Sequence, residues 1–137
     1  MATTSNNNRT AKRDGSTQDD NFRWISSMPG QGVFITLDKQ QRLYLSSDAR
    51  KTTNIDRGTH VIVGYDKANQ RLVLANSEVV RVPNVKPFYL NEDSYISAAA
   101  IVRELNVSKL QLPLRFAYVG RDFAEYDSGS FAFERVD

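Results

Sequence analysis

From Val33 onward, apolar and polar residues alternate along most of the chain with the two-residue period of half-buried strands. Residues 33–38 and 42–45 read as two strands, with Lys39-Gln40-Gln41 as a connection short enough for a hairpin. Ser46-Ser47-Asp48 offers side-chain oxygens to the free N–H groups at a helix start, which predicts a short helix over 48–53. A turn at Asp56-Arg57-Gly58 leads into two β-rich runs, 60–65 and 71–75, with 66–70 as the hairpin connection. The same order then returns: a strand over 88–91, a turn at Glu92-Asp93-Ser94, a strand over 95–97, a helix over 98–105, and a hairpin of 114–120 with 130–135.

Laid against each other, the two stretches agree at an offset of 53 residues. Leu37 aligns with Leu90, Leu43 with Ile96 and Arg50 with Arg103, with one deletion near the helix end. Each half reads strand–strand–helix–strand–strand, and units this small do not close a core alone. The expected fold is therefore mainly β with short helices. Two ββαββ repeats, residues 22–80 and 81–137, would interlock about a pseudo-two-fold axis and share one core. Residues 1–21 contain no Leu, Ile, Val or aromatic residue. They cannot offset ordering costs of about 1–2 kcal/mol per residue and are expected to form a disordered polar tail. Order should begin near Phe22 and Trp24.

Composition narrows the function classes. At 137 residues the chain is one domain's worth of sequence, and it has no cysteine, which excludes disulfides, Cys-ligated zinc, iron–sulfur clusters and a thiol nucleophile. A single histidine excludes multi-histidine metal sites. No apolar run approaches the roughly 18 residues of a membrane span. A cytoplasmic, cofactor-free binding protein is expected rather than an enzyme. The net charge of +2 conceals a gradient: residues 23–78 carry eight Lys/Arg against five Asp/Glu, residues 79–137 seven against eight. Anionic partners point to the middle third.

That third also carries a pattern. Residues 33–75 show an apolar strand, Asp38 and Arg42 in Asp-x-x-x-Arg spacing, a second apolar strand, a short helix bearing Arg50-Lys51, Ile55, Gly58 and a β-hairpin. This resembles the swapped-hairpin domain of the AbrB, SpoVT and MraZ family of bacterial DNA-binding regulators. Gln41 stands where the family usually has a glycine, Ser46 where it has a proline, and Thr53-Asn54 where it has Leu-Gly. In the second half Asn91 and Tyr95 stand at the places of Asp38 and Arg42. The resemblance implies an AbrB-like swapped-hairpin barrel, or the related double-psi barrel, and a transcriptional regulator that binds double-stranded DNA as a homodimer or higher oligomer.

Lys39, Arg42, Arg50, Lys51 and Arg57 lie within 19 residues, at the strand turn, on the helix and in the next turn. Cations on adjoining elements that share one face would neutralise phosphates and release counterions. On this reading Arg42 and Arg50 read bases or phosphates, Lys39 and Lys51 hold the backbone, and Asp38 orients Arg42 as an ion pair. The plainer reading is that these are solvated charges paired with Asp38, Asp48 and Asp56. A second class of function is a small protein-binding adaptor or inhibitor, of phage or plasmid type, that docks on a host factor such as RNA polymerase.

Other features read as structure. His60 has no carboxylate at useful spacing. Asp127-Ser128-Gly129 follows Glu125-Tyr126 rather than an apolar strand and reads as a hairpin turn, while Asp122, Glu125 and Asp127 lack the spacing of a calcium loop. Gly30-x-Gly32 precedes no helix and cradles no phosphate. Phe116, Tyr118, Phe123, Tyr126, Phe131 and Phe133 offer a stacking platform, but the alternation at 116/118 and 131/133 points to strands filling a core or a subunit interface instead.

Overall fold

The computed structural model describes Phe22, Trp24 and residues 32–136. The expected tail, residues 1–21, lies outside the described residues. Phe22 and Trp24 meet edge to face with ring centroids 5.0 Å apart.

Eight antiparallel strands form one sheet: β1 (Phe34–Leu37), β2 (Arg42–Leu45), β3 (His60–Asp66), β4 (Arg71–Asn76), β5 (Phe88–Tyr89), β6 (Tyr95–Ser97), β7 (Leu114–Arg121) and β8 (Phe131–Val136). Among the described residues two α-helices, α1 (Ser47–Thr53) and α2 (Ala99–Leu105), follow β2 and β6, and a 3-10 turn spans Lys109–Gln111. Strand order is β5-β3-β4-β8-β7-β1-β2-β6. The two edge strands are consecutive in the chain and joined by a turn in which the Asn91 N–H donates to the Tyr95 carbonyl, 3.0 Å. The sheet is thus a nearly closed barrel, which leaves little edge for another strand to pair with.

The pairings have an internal regularity. Exchanging β1–β4 for β5–β8 turns β1–β7 into β3–β5 and β3–β4 into β7–β8, and leaves β2–β6 and β4–β8 as they are; the exception is β1–β2, whose counterparts β5 and β6 are the two unpaired edges. Leu43, opposite Ile96 across β2 and β6, is the aligned residue of the first half facing that of the second.

Period-two alternation decides which side is inside. Ile35, Leu37, Leu43, Leu45, Leu72, Leu74, Ile96, Phe116 and Phe133 point inward and are fully buried or nearly so. Tyr118 and Phe131 pack against this core. Strand partners bring side chains from both halves into one cluster, so each half supplies half of the same interior. A bulge at Val119, between the pairs Tyr118–Phe133 and Gly120–Ala132, bends β7 where the sheet curls.

The helices are capped unequally. Ser46, at the N-cap of α1, accepts from the Ala49 N–H at 3.1 Å and donates to the Gly32 carbonyl at 3.2 Å. Ala98 at the start of α2 makes no side-chain cap bond. Both helices end on an asparagine in the left-handed region, Asn54 at φ 55° and Asn106 at φ 56°. Matching these ends sets Arg103 against Lys51, not Arg50. The one-residue deletion therefore falls at the helix start, where the second half has lost the serine cap.

Candidate nucleic-acid interface

The β1–β2 turn is built around one carboxylate. Asp38 Oδ1 accepts from the N–H groups of Gln40 (3.0 Å) and Arg42 (2.9 Å), while Oδ2 receives Arg42 Nε and Nη2, both at 3.0 Å. Closing this turn places Gln41 at φ 59°. The Arg42 guanidinium is held from the other side by the Tyr95 ring, 4.1 Å from its centroid, and the side chain still exposes 41% of its surface. Asp38 and Arg42 are thus an ion pair within the turn.

Arg42 belongs to a larger outward face. On β2 and β6, Tyr44 and Tyr95 are directly opposite and their rings lie 5.3 Å apart. Across β1, Thr36 pairs with Tyr44 on one side and Arg115 of β7 on the other. The Arg115 guanidinium in turn rests 3.8 Å from the centroid of the Phe34 ring. Two arginines, each supported by an aromatic ring, therefore project from strands two apart, or about 10 Å at ordinary strand spacing. Lys39 is exposed at the turn beside them.

The remaining cations are placed differently. Arg50 is mostly covered, its side chain 17% exposed, with Nη1 3.7 Å from Asp56 Oδ1. Its Nε is buried and accepted by no group among the described residues. Lys51 is exposed on the same helix. Arg57 is exposed in the turn before β3, with Nη1 donating to the Glu92 carbonyl at 3.4 Å. Since the β5–β6 turn meets β2 at its Leu45 end, through the Leu45 N–H to the Ser94 carbonyl at 3.0 Å, Arg57 lies at the opposite end of β2 from Lys39 and Arg42. The structure brings Lys39, Arg42 and Asp38 together and sets Arg50, Lys51 and Arg57 apart from them.

Arg115 and its Phe34 support were not picked out from the sequence. Their residue types and outward strand parity were visible, but their adjacency depends on a β1–β7 pairing between segments far apart in the chain.

A second polar network sits on the far side of the barrel. Tyr126 donates its hydroxyl to Asp66, which also accepts from Asn69 through its N–H (3.2 Å) and Nδ2 (2.9 Å). These bonds, Asn69's first and Tyr126's second, hold the Asp66 carboxyl below its usual range. Burial and then the bond to Asp66 push the Tyr126 phenol up. Arg71 bonds Glu134 at 2.9 Å and lies 4.9 Å from the Phe123 ring centroid; the Glu134 and Tyr126 bonds raise its already high pKa.

Asp127-Ser128-Gly129 lies in the β7–β8 connection, where Ser130 N–H donates to the Asp127 carbonyl at 3.2 Å. His60 is exposed at the start of β3 beside the Tyr89 ring. Among the described residues no group of three or more His, Asp or Glu is gathered around a metal position, and no helix is long and apolar enough to cross a membrane. No protein-family model matches the sequence, and neither a curated protein nor a solved structure matches it significantly.

Proposed function

We propose that the chain is a double-stranded-DNA-binding transcriptional regulator, folded as two interlocked ββαββ repeats of the AbrB-like swapped-hairpin type. The exchange regularity of the strand pairings supports the fold reading. So do the two positions where the resemblance has glycine: Gln41 and Asn54 both adopt left-handed backbone, φ 59° and 55°, the conformation glycine supplies most easily.

The observation that carries the functional reading is the pair of ring-supported arginines on one outward sheet face, Arg42 over Tyr95 and Arg115 over Phe34. A guanidinium held in place loses less freedom on meeting a phosphate or a guanine edge than a free lysine does. Lys39 adds a flexible phosphate contact at the same edge, and Lys51 a second one from α1. Arg50, covered and turned to Asp56, positions the helix end instead of touching DNA, and Arg57 is peripheral. Among the described residues no helix stands apart from the barrel to enter a groove, so recognition leans on backbone contacts and duplex shape. In a cytoplasmic homodimer or higher oligomer, two such faces would meet successive stretches of one duplex.

The test is fluorescence anisotropy with a labelled random-sequence duplex. Four phosphate contacts, from Lys39, Lys51, Arg42 and Arg115, predict an affinity loss of about 150-fold between 50 and 200 mM salt. The Arg42→Glu/Arg115→Glu variant, checked for folding by circular dichroism, should lose binding. Binding that ignores salt, or that the double variant retains, overturns the reading.

A further inference from the structure

The outer face of β3 and β4 lies across the ring from Arg42 and Arg115 and holds a groove of about 390 Å³. Its floor is the outward row of the two strands, with Ile62 opposite Ala75 and Gly64 opposite Val73. One wall is the segment after β4, where Val80 is buried while Val82 and Val85 stay substantially exposed. The other wall is the β7–β8 connection, with Tyr126 facing in. The walls meet at Gly129, where a Cβ would come within 2.8 Å of Val79 Cγ1. This glycine, at φ 94°, lets the loop close onto the valines.

Two observations indicate an occupant. First, the charge lining the groove is of one sign. Asp66, Glu125 and Asp127 contribute carboxylates, and no Lys or Arg lines it among the described residues. The neighbouring Arg71 is engaged by Glu134 and Phe123. Glu125 and Asp127 form no ion pair among the described residues. Second, Gly64 interrupts β3 in ordinary strand conformation, and a Cβ there would find only the Val73 carbonyl, at 4.0 Å. Glycine within a strand costs stability and commonly marks close approach of another group. The backbone does not require it here, and a side chain in its place would stand in the groove.

We infer that this groove is a docking site for a partner protein's segment in which an apolar side chain is flanked by Lys or Arg. The apolar side chain enters above Gly64 between Val82 and Tyr126. The flanking cations reach Glu125 and Asp127 on the loop and Asp66, which the Tyr126 hydroxyl ties to that loop. This surface is separate from the DNA-binding reading and stands or falls without it.

The test uses the full chain and a fluorescent pool of heptapeptides alternating Lys or Arg with Leu, Val or Phe. A pool with Glu in place of the cations is the control. The wild type should bind the basic pool at least about tenfold more tightly than the acidic one. Gly64→Leu, which fills the floor from an unstrained position, should weaken binding about tenfold. Glu125→Lys with Asp127→Lys, both on exposed loop positions, should do the same without touching the floor, so the test survives if Gly64→Leu fails to fold. Failure of the basic pool to bind, equal binding of the acidic pool, or binding that both variants retain overturns the inference. So does self-association of the protein alone that Gly64→Leu abolishes, since the occupant would then be a second copy.

Discussion

The turn from Asp38 to Arg42 and the turn from Asn91 to Tyr95 share a backbone and differ in chemistry. In each, the first residue's side-chain oxygen accepts the N–H groups two and four residues on, at 2.9–3.0 Å. In each, the fourth residue is left-handed, Gln41 at φ 59° and Ser94 at φ 69°. One turn is opened by a carboxylate and ended by an arginine, the other by an amide and a tyrosine. An amide therefore suffices for the turn, and the negative charge of Asp38 serves Arg42 alone. The two turns are also in contact, because the Tyr95 ring is the surface on which Arg42 rests. A backbone requirement can be kept in both halves while the charge is confined to one.

The most damaging way to probe this parity is in the core. Leu43 and Ile96 face each other, both fully buried. Leu43→Ala and Ile96→Ala should each cost about 2–5 kcal/mol in urea unfolding. A cost confined to one of them would show that the halves do not share the interior equally.

Next come the turns. Asp38→Ala removes the acceptor of two backbone N–H groups and the partner of Arg42, and should cost about 1–3 kcal/mol. Asp38→Asn keeps the turn, as Asn91 does, and should cost less than about 1 kcal/mol while freeing Arg42. Equal costs for the two variants would mean that charge, not the turn bonds, matters at Asp38. Ser46→Ala should cost about 1 kcal/mol by uncapping α1, a loss α2 has already taken at Ala98.

The smallest expected effect is in acid. Asp66 is held below its ordinary carboxyl pKa by Asn69 and Tyr126. Its bonds therefore contribute stability above the unfolded value, which is lost as pH falls through the folded one. Asp66→Asn should flatten part of the decline in thermal midpoint below about pH 4. A decline identical to wild type would place the acid sensitivity elsewhere.

The elements were legible in the sequence because period-two alternation and turn residues are local signals. The run 42–45 is β2 as drawn, and the helix expected over 48–53 begins one residue earlier, at Ser47. What crosses the chain was not legible. Nothing near Phe34 announces Arg115, because their contact follows from the β1–β7 register. The covering of Arg50 was equally hidden: an arginine in a helix's last turn looks exposed until Asp56 folds back against it. The segment after β4 has no strand or helix pattern, so its valines gave no sign of forming a groove wall.

Lys39 and Arg42 mark the first turn and Glu92 and Asp93 the second, so the DNA-binding reading assigns the duplex to the first turn alone. It is tested most directly by duplex affinity at low salt for wild type, Arg42→Glu and the matching second-turn charge change Glu92→Lys. The account predicts roughly tenfold weaker binding for Arg42→Glu and an affinity within about twofold of wild type for Glu92→Lys. Equal effects at the two turns, or no duplex binding by the wild type, would contradict it.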